Sequence, residues 1–176
     1  MALSKIDGTN FIEGTVPSTV APGAGKVLQV VENTTTTGVA VSVNGYSDTG
    51  LSASITPSST SNKILVLVYQ PVFASRADNE SDIIVKVQSN HTGSYTDITT
   101  VVDTQKFMQT FQSGSFSSTE NGDVYSCSKL FLPNSTSSFT VKTVMRMRSA
   151  YGASGTIQAQ SGGNQSSMQL MEIAGW

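Results

Sequence analysis

The sequence predicts an all-β fold, an antiparallel β-sandwich of roughly nine or ten strands. Three observations predict it. Short runs of apolar residues recur along the chain between turn residues, and none shows the 3.6-residue period of a helix. The 176 residues include 27 Ser, 21 Thr and 15 Gly but only 12% charged residues. That composition suits strands and turns and lacks the Ala, Glu, Lys and Leu that helices favour. The third observation is the stretch KILVLVYQPVFA, residues 63–74, which is apolar at consecutive positions.

Side chains alternate across a strand, so Ile64, Val66 and Val68 point one way and Leu65, Leu67 and Tyr69 the other. A strand apolar on both faces is buried on both. One face can pack on the opposing sheet; the other is expected to meet a partner subunit. Pro71 removes a ladder donor and is expected to end the regular pairing or mark an edge.

Residues 1–25 form an extended arm in this reading, and residues 26–176 the sandwich. Gly8, Gly14, Pro17, Pro22, Gly23 and Gly25 interrupt the arm every few residues. Leu3, Ile6, Phe11, Ile12 and Val16 stand between these breaks, spaced as anchors for pockets on another surface. No continuous apolar core fits a secretory leader at the start, and no run approaches a membrane span.

From Lys26 the strands follow in order. KVLQVVE (26–32) is first, then residues 34–37 and VAVSVNG (39–45), whose Asn44-Gly45 is a turn signal. LSASITP (51–57) stops at Pro57, and residues 58–62 lead into the central strand. DIIVKVQS (82–89) comes next, then two short strands over 95–102 and 106–111 and a Ser/Gly-rich loop over 113–123. DVYSCSKLFLP (123–133) turns at Asn134 into SFTVKTVMRMRSAY (138–151). In the latter, Phe139, Val141, Thr143, Met145 and Met147 share one face; Lys142, Val144, Arg146 and Arg148 share the other. A short strand over 156–160 precedes SSMQLMEIAGW (166–176), whose Met168, Leu170, Met171 and Ile173 make it apolar on both sides and interior to a sheet. Strands of this number and spacing suit a jelly roll. Doubly apolar strands in a small sandwich suggest a subunit interface through Leu65, Leu67, Tyr69, Met168, Leu170, Met171 and Ile173, in a closed ring, a trimer above all.

No residue pattern carries catalysis, so no enzyme, cofactor or metal is expected. Asp48-Thr49-Gly50 matches the aspartic-protease tripeptide, but it occurs once, beside a turn, and reads as turn residues. Asp78, Glu80 and Asp82 alternate as calcium ligands can, without the glycine and distal glutamate of an EF-hand; a solvated loop is expected. His91 is the one histidine and reads as a surface residue, and Cys127 as a small buried apolar one. A net charge of −2 gives no footprint for nucleic acid. Lys142, Arg146 and Arg148 read as a basic strand face that keeps the sheet soluble, and Tyr46, Tyr95 and Tyr151 as the aromatic side chains that could stack on a host-surface glycan.

Three segments carry a resemblance. MALSKIDGTNFIEGTVPSTVAPGAGKVLQVV, SITPSSTSNKILVLV and SSMQLMEIAG resemble the opening, a strand–loop–strand and the terminal strand of small virion proteins and tail-fibre segments of tailed phages, especially marine and cyanobacterial ones. Together they cover about a third of the chain. The resemblance implies a trimeric sandwich displayed on the virion and assembled in the host cytoplasm, with no enzymatic residues. It would act as a capsid decoration (cement) protein that binds the major capsid protein, or as a tail or head fibre tip that binds a host-surface glycan. The short arm before the sandwich, in place of a long shaft, favours decoration. Neither nucleic acid nor membrane is an expected partner.

Overall fold

A computed structural model of the protein describes residues 25–41, 45–76, 80–99, 108–111, 119–148 and 155–175. Eleven strands appear among them, with no α-helix: β1 (Val27–Thr35), β2 (Val39–Val41), β3 (Ser47–Ile55), β4 (Lys63–Arg76), β5 (Glu80–Ser89), β6 (Thr96–Asp97), β7 (Met108–Phe111), β8 (Thr119–Phe131), β9 (Phe139–Arg148), β10 (Gly155–Ala159) and β11 (Ser166–Ile173). All pairings are antiparallel.

One sheet runs β1-β11-β4-β8, with β10 and then β2 continuing from the far end of β4; the other runs β3-β9-β5, with β6 and β7 both on the outer side of β5. Set aside the short β2 and β10 and count β6 and β7 as one interrupted strand. The eight main strands then run first–eighth–third–sixth in one sheet and second–seventh–fourth–fifth in the other, the double Greek-key order of a jelly roll. The expected all-β sandwich is therefore the observed one.

The core lies between the sheets and follows the alternation read from the sequence. Ile64, Val66 and Val68 of β4 are 0–4% exposed, and Val141, Met145 and Met147 of β9 are fully enclosed, as are Met168 and Leu170 of β11. Thr49 and Thr143 join them as a buried pair, their hydroxyl oxygens 2.5 Å apart.

Several boundaries differ from expectation, each for a pairing reason. β4 does not end at Pro71. Its partner changes there: β11 pairs as far as Tyr69 and β10 begins at Val72. The Pro71 carbonyl accepts from the Gln160 amide at 3.0 Å, so this side of Pro71 faces the gap between β11 and β10. The missing N–H falls where no ladder partner stands. β8 starts at Thr119, inside the expected 113–123 loop, because β4 is long enough to pair it as far as Arg76. Asp48-Thr49-Gly50 is not a turn before β3. It is a bulge within β3, where the register slips between Asp48 and Ser52 and Gly50 takes φ +79°.

The two flanks of the first sheet are finished differently. At β1, Asn33 Nδ2 donates to Ser52 O at 2.7 Å and Gln29 Nε2 to Thr56 O at 2.8 Å, so side chains tie this flank to β3. At β8 the Val124 amide is taken by its neighbour's Asp123 carboxylate at 2.7 Å, and Lys129 pairs opposite the inward Val66. Both are devices that discourage addition of a further strand.

Candidate assembly face

The outer face of the β1-β11-β4-β8 sheet is the candidate site. Its composition follows from the alternation of β4. With Ile64, Val66 and Val68 inside, Leu65, Leu67 and Tyr69 must stand outside, and Tyr69 is 50% exposed. Register then assembles a row. Val30 of β1 pairs with Met171 of β11, Met171 with Leu65 of β4, and Leu65 with Leu130 of β8. Val30 and Leu130, at its two ends, are 54% and 48% exposed. Val27 and Ile173 pair in the next row outward, and Val27 is 53% exposed. Four strands at ~4.8 Å make the Val30–Met171–Leu65–Leu130 row about 14 Å long, while the next row inward, Glu32–Gln169–Leu67–Ser128, is apolar only at Leu67. A row of large apolar side chains across four strands, exposed at both ends, is a candidate contact surface for another molecule.

The expected interface set therefore divides. Leu65, Leu67, Tyr69, Met171 and Ile173 lie on this outer face. Met168 and Leu170 are corrected: both are 0% exposed inside the sandwich, because β11 alternates and one apolar set must serve the internal core. The arm residues Leu3, Ile6, Phe11, Ile12 and Val16 lie outside the described residues.

One corner of the patch is pinned by a residue that the apolar pattern of β11 conceals. Glu172 is 1% exposed and points inward at the end of β11. Its Oε1 accepts from Asn62 Nδ2 (2.6 Å), Ser58 N (2.7 Å) and Ser58 Oγ (2.8 Å); its Oε2 accepts from Gln29 Nε2 (2.6 Å). Burial works against the charge, yet the donors from Asn62, Gln29 and Ser58 prevail and hold the carboxyl below its ordinary value. Asn62 Oδ1 in turn accepts from the Gly175 amide at 3.0 Å. A Cβ at Gly175 would collide with the backbone carbonyl of Ser61, so the tail can lie there only as glycine. The cluster joins β1, the β3–β4 loop and β11, and fixes where Val27 and Ile173 stand.

The opposite outer face, on β9 and β5, is built differently. Ile84 and Val144 point outward yet are 0% and 4% exposed. Their strand partners are Arg146 and Lys86. The Tyr46 ring lies across both cations, 4.5 Å from Lys86 Nζ and 4.9 Å from Arg146 Cζ. A hydrogen bond to Asp97 at 2.8 Å, with Tyr46 beside it, outweighs burial and pushes the Lys86 ammonium up to about 12. Lys142 sits 4.0 Å from the Tyr95 ring and 2.6 Å from Asp48. The basic face read from the sequence is thus present at Lys142 and Arg146, roofed by two of the three tyrosines expected to bind sugar. Tyr151 lies outside the described residues.

The remaining motifs fall at separate places in the fold. Asp48 pairs with Lys142 at the surface, while its neighbour Thr49 is buried against Thr143. His91 is not a plain surface residue: half-buried, it packs 5.3 Å from Phe131 and 6.0 Å from Phe139 between ring centroids. Cys127 is half-buried against the core. Asp78 lies outside the described residues, and Glu80 and Asp82 belong to β5. Among the described residues no group of three or more His, Cys, Asp or Glu is placed to hold a metal ion, and no helix is long and apolar enough to cross a membrane. No family model matches the chain, and no curated protein matches it either.

Proposed function

We propose that this chain is a structural protein that works as an assembly of identical copies, mated through the apolar end of the outer face of the β1-β11-β4-β8 sheet, around Leu65 and Met171. One observation carries the reading: the apolar row Val30–Met171–Leu65–Leu130, which crosses four strands and remains exposed at both ends. Apolar surface shared between copies is removed from water at about 25 cal/mol per Å², and a ring of copies covers this row on every subunit.

The resemblance of three segments to tailed-phage virion proteins supports the finer reading. The chain is then a trimeric decoration protein that stabilises a capsid shell, with residues 1–25 docking on the major capsid protein. Two of those segments meet through Ser58, Asn62 and Glu172 in the cluster described above, so they share a structural task beside the patch.

Light scattering and co-sedimentation with capsids test both levels. The intact chain is expected to run as a trimer and to pellet with capsids. Leu65→Asp should yield a folded monomer, and a chain lacking residues 1–25 a trimer that no longer pellets. A wild-type monomer at micromolar concentration overturns the assembly reading. A truncated chain that still decorates capsids overturns the role of the arm.

A further inference from the structure

Beyond the apolar rows, the same sheet face changes character. The row after next reads Thr34–Ser167–Tyr69–Ser126 across β1, β11, β4 and β8: one aromatic ring flanked by hydroxyls. Two clefts, of about 290 and 400 Å³, open on either side of Tyr69 and share Tyr69, Pro71 and Asn164. They adjoin at Tyr69, so that together they make a groove spanning three inter-strand spacings, roughly 14 Å.

The wall of this groove is held in place. It is the turn after β10, a short 3-10 segment at Ser161–Gly163 followed by Asn164 and Gln165. Gln160, at φ 54°, anchors it from inside. With its amide oriented to satisfy its neighbours, Gln160 accepts from Gln70 Nε2 at 2.8 Å and Ser166 Oγ at 2.9 Å, and donates to Thr49 O at 3.1 Å and Thr37 O at 3.2 Å. Asn164 Nδ2 closes the turn on Ser161 O at 2.7 Å. The groove is therefore preformed, and little ordering cost attends a ligand.

The lining decides what fits. The charged residues among it are Glu32 and Asp123, both acidic, with no Lys or Arg. An anionic ligand is disfavoured by charge. In the floor β11 is paired on both sides, and at the β8 edge the Val124 amide is already taken by Asp123, which discourages a peptide main chain from joining the ladder there. What remains is an exposed aromatic plane with amides, hydroxyls and carboxylates around it. That set suits a neutral polyol ring, whose C–H face stacks on the aromatic while its hydroxyls both give and accept hydrogen bonds. We propose that the groove centred on Tyr69 binds a neutral oligosaccharide of two or three sugar units, stacked on Tyr69 and hydrogen-bonded by Asn164, Glu32 and Asp123. This site is separate from the tyrosines of the opposite sheet; it shares a sheet face with the apolar row but lies two rows beyond it, so contact between copies confined to the Leu65 row leaves Tyr69 open.

An array carrying neutral, sialylated and sulfated oligosaccharides, probed with the intact chain, tests it, followed by titration of the strongest neutral binder. Neutral glycans should be preferred. Tyr69→Ala, at an exposed position that folding tolerates, should weaken binding about 10-fold, the loss of one stacking contact of ~1.4 kcal/mol. Tyr69→Phe should stay within about threefold, since the ring is kept. Silence toward every neutral glycan, preference for the anionic ones, or binding indifferent to Tyr69→Ala each overturns the proposal.

Discussion

The two outer faces of the sandwich begin from the same kind of strand and end in opposite states. Outward positions of β5 and β9 hold Ile84 and Val144; those of β4 and β11 hold Leu65, Leu67 and Met171. On the first, Lys86 and Arg146 stand beside the apolar pair and Tyr46 lies over them, so the chain covers its own apolar side chains. On the second, no comparable roof appears among the described residues, and Val27, Val30, Tyr69 and Leu130 are about half exposed. Apolar residues on an outer face thus do not by themselves imply a partner. The neighbours in register decide it, because long cationic side chains and a tyrosine can cover apolar surface from within the same chain.

The sharpest break of this comparison is a pair of substitutions. Ile84→Ala empties a fully buried position beneath the Tyr46 roof and should cost about 2–5 kcal/mol, enough to unfold part of the population. Leu65→Asp, on the uncovered face, should change the urea midpoint of the monomer little while removing self-association. Equal destabilisation by both would mean that the two faces are covered alike.

Acid separates the faces more gently. The Glu172 carboxyl sits below its ordinary value of about 4.5 in the folded chain, so the unfolded chain takes up the proton first. Its contribution is fully present above that value and is lost as pH falls through the lower folded value. Hydrogen exchange below pH 4.5 should therefore rise first at the Val27–Ile173 corner of the uncovered face, while the Tyr46-roofed face keeps its protection. Glu172→Gln should flatten this acid dependence and lower stability at pH 7 by about 1–3 kcal/mol, because a neutral amide cannot accept from all four donors as the carboxylate does.

The smallest expected effect sharpens the roofed face. Tyr46→Ala should cost about 1–2 kcal/mol in urea unfolding, the sum of two partly exposed cation–π contacts and the apolar area uncovered. It should leave the oligomeric mass unchanged unless a second association surface, through Ile84 and Val144, has been opened.

Much of this was legible in the chain itself. The period-two alternation of residues 63–74 and 138–151 named which side chains enter the core, and the structure encloses those same residues. The terminal strand was legible as interior to a sheet, and β11 does lie between β1 and β4. Which of its two apolar sets faces the core was not, since Met168 and Leu170 look no different in sequence from Met171 and Ile173. Glu172 was hidden for the same reason. Its inward position depends on the phase of β11, and its donors lie more than 100 residues away at Gln29, Ser58 and Asn62. The Tyr69 groove was also out of reach, because Glu32, Tyr69, Asp123 and Asn164 come from four separate segments.

The sequence by itself determined the strand periodicity, the composition of each strand face and the surplus of apolar side chains over what one internal core can hold. These are local properties, set by alternation along an extended backbone. Only the tertiary structure decided which surplus is roofed and which is left open, where the buried carboxylate finds its donors, and that Pro71 stands at a change of partner and not at a strand end. Such choices depend on register between segments distant in the chain, and a one-residue slip would reverse every one of them.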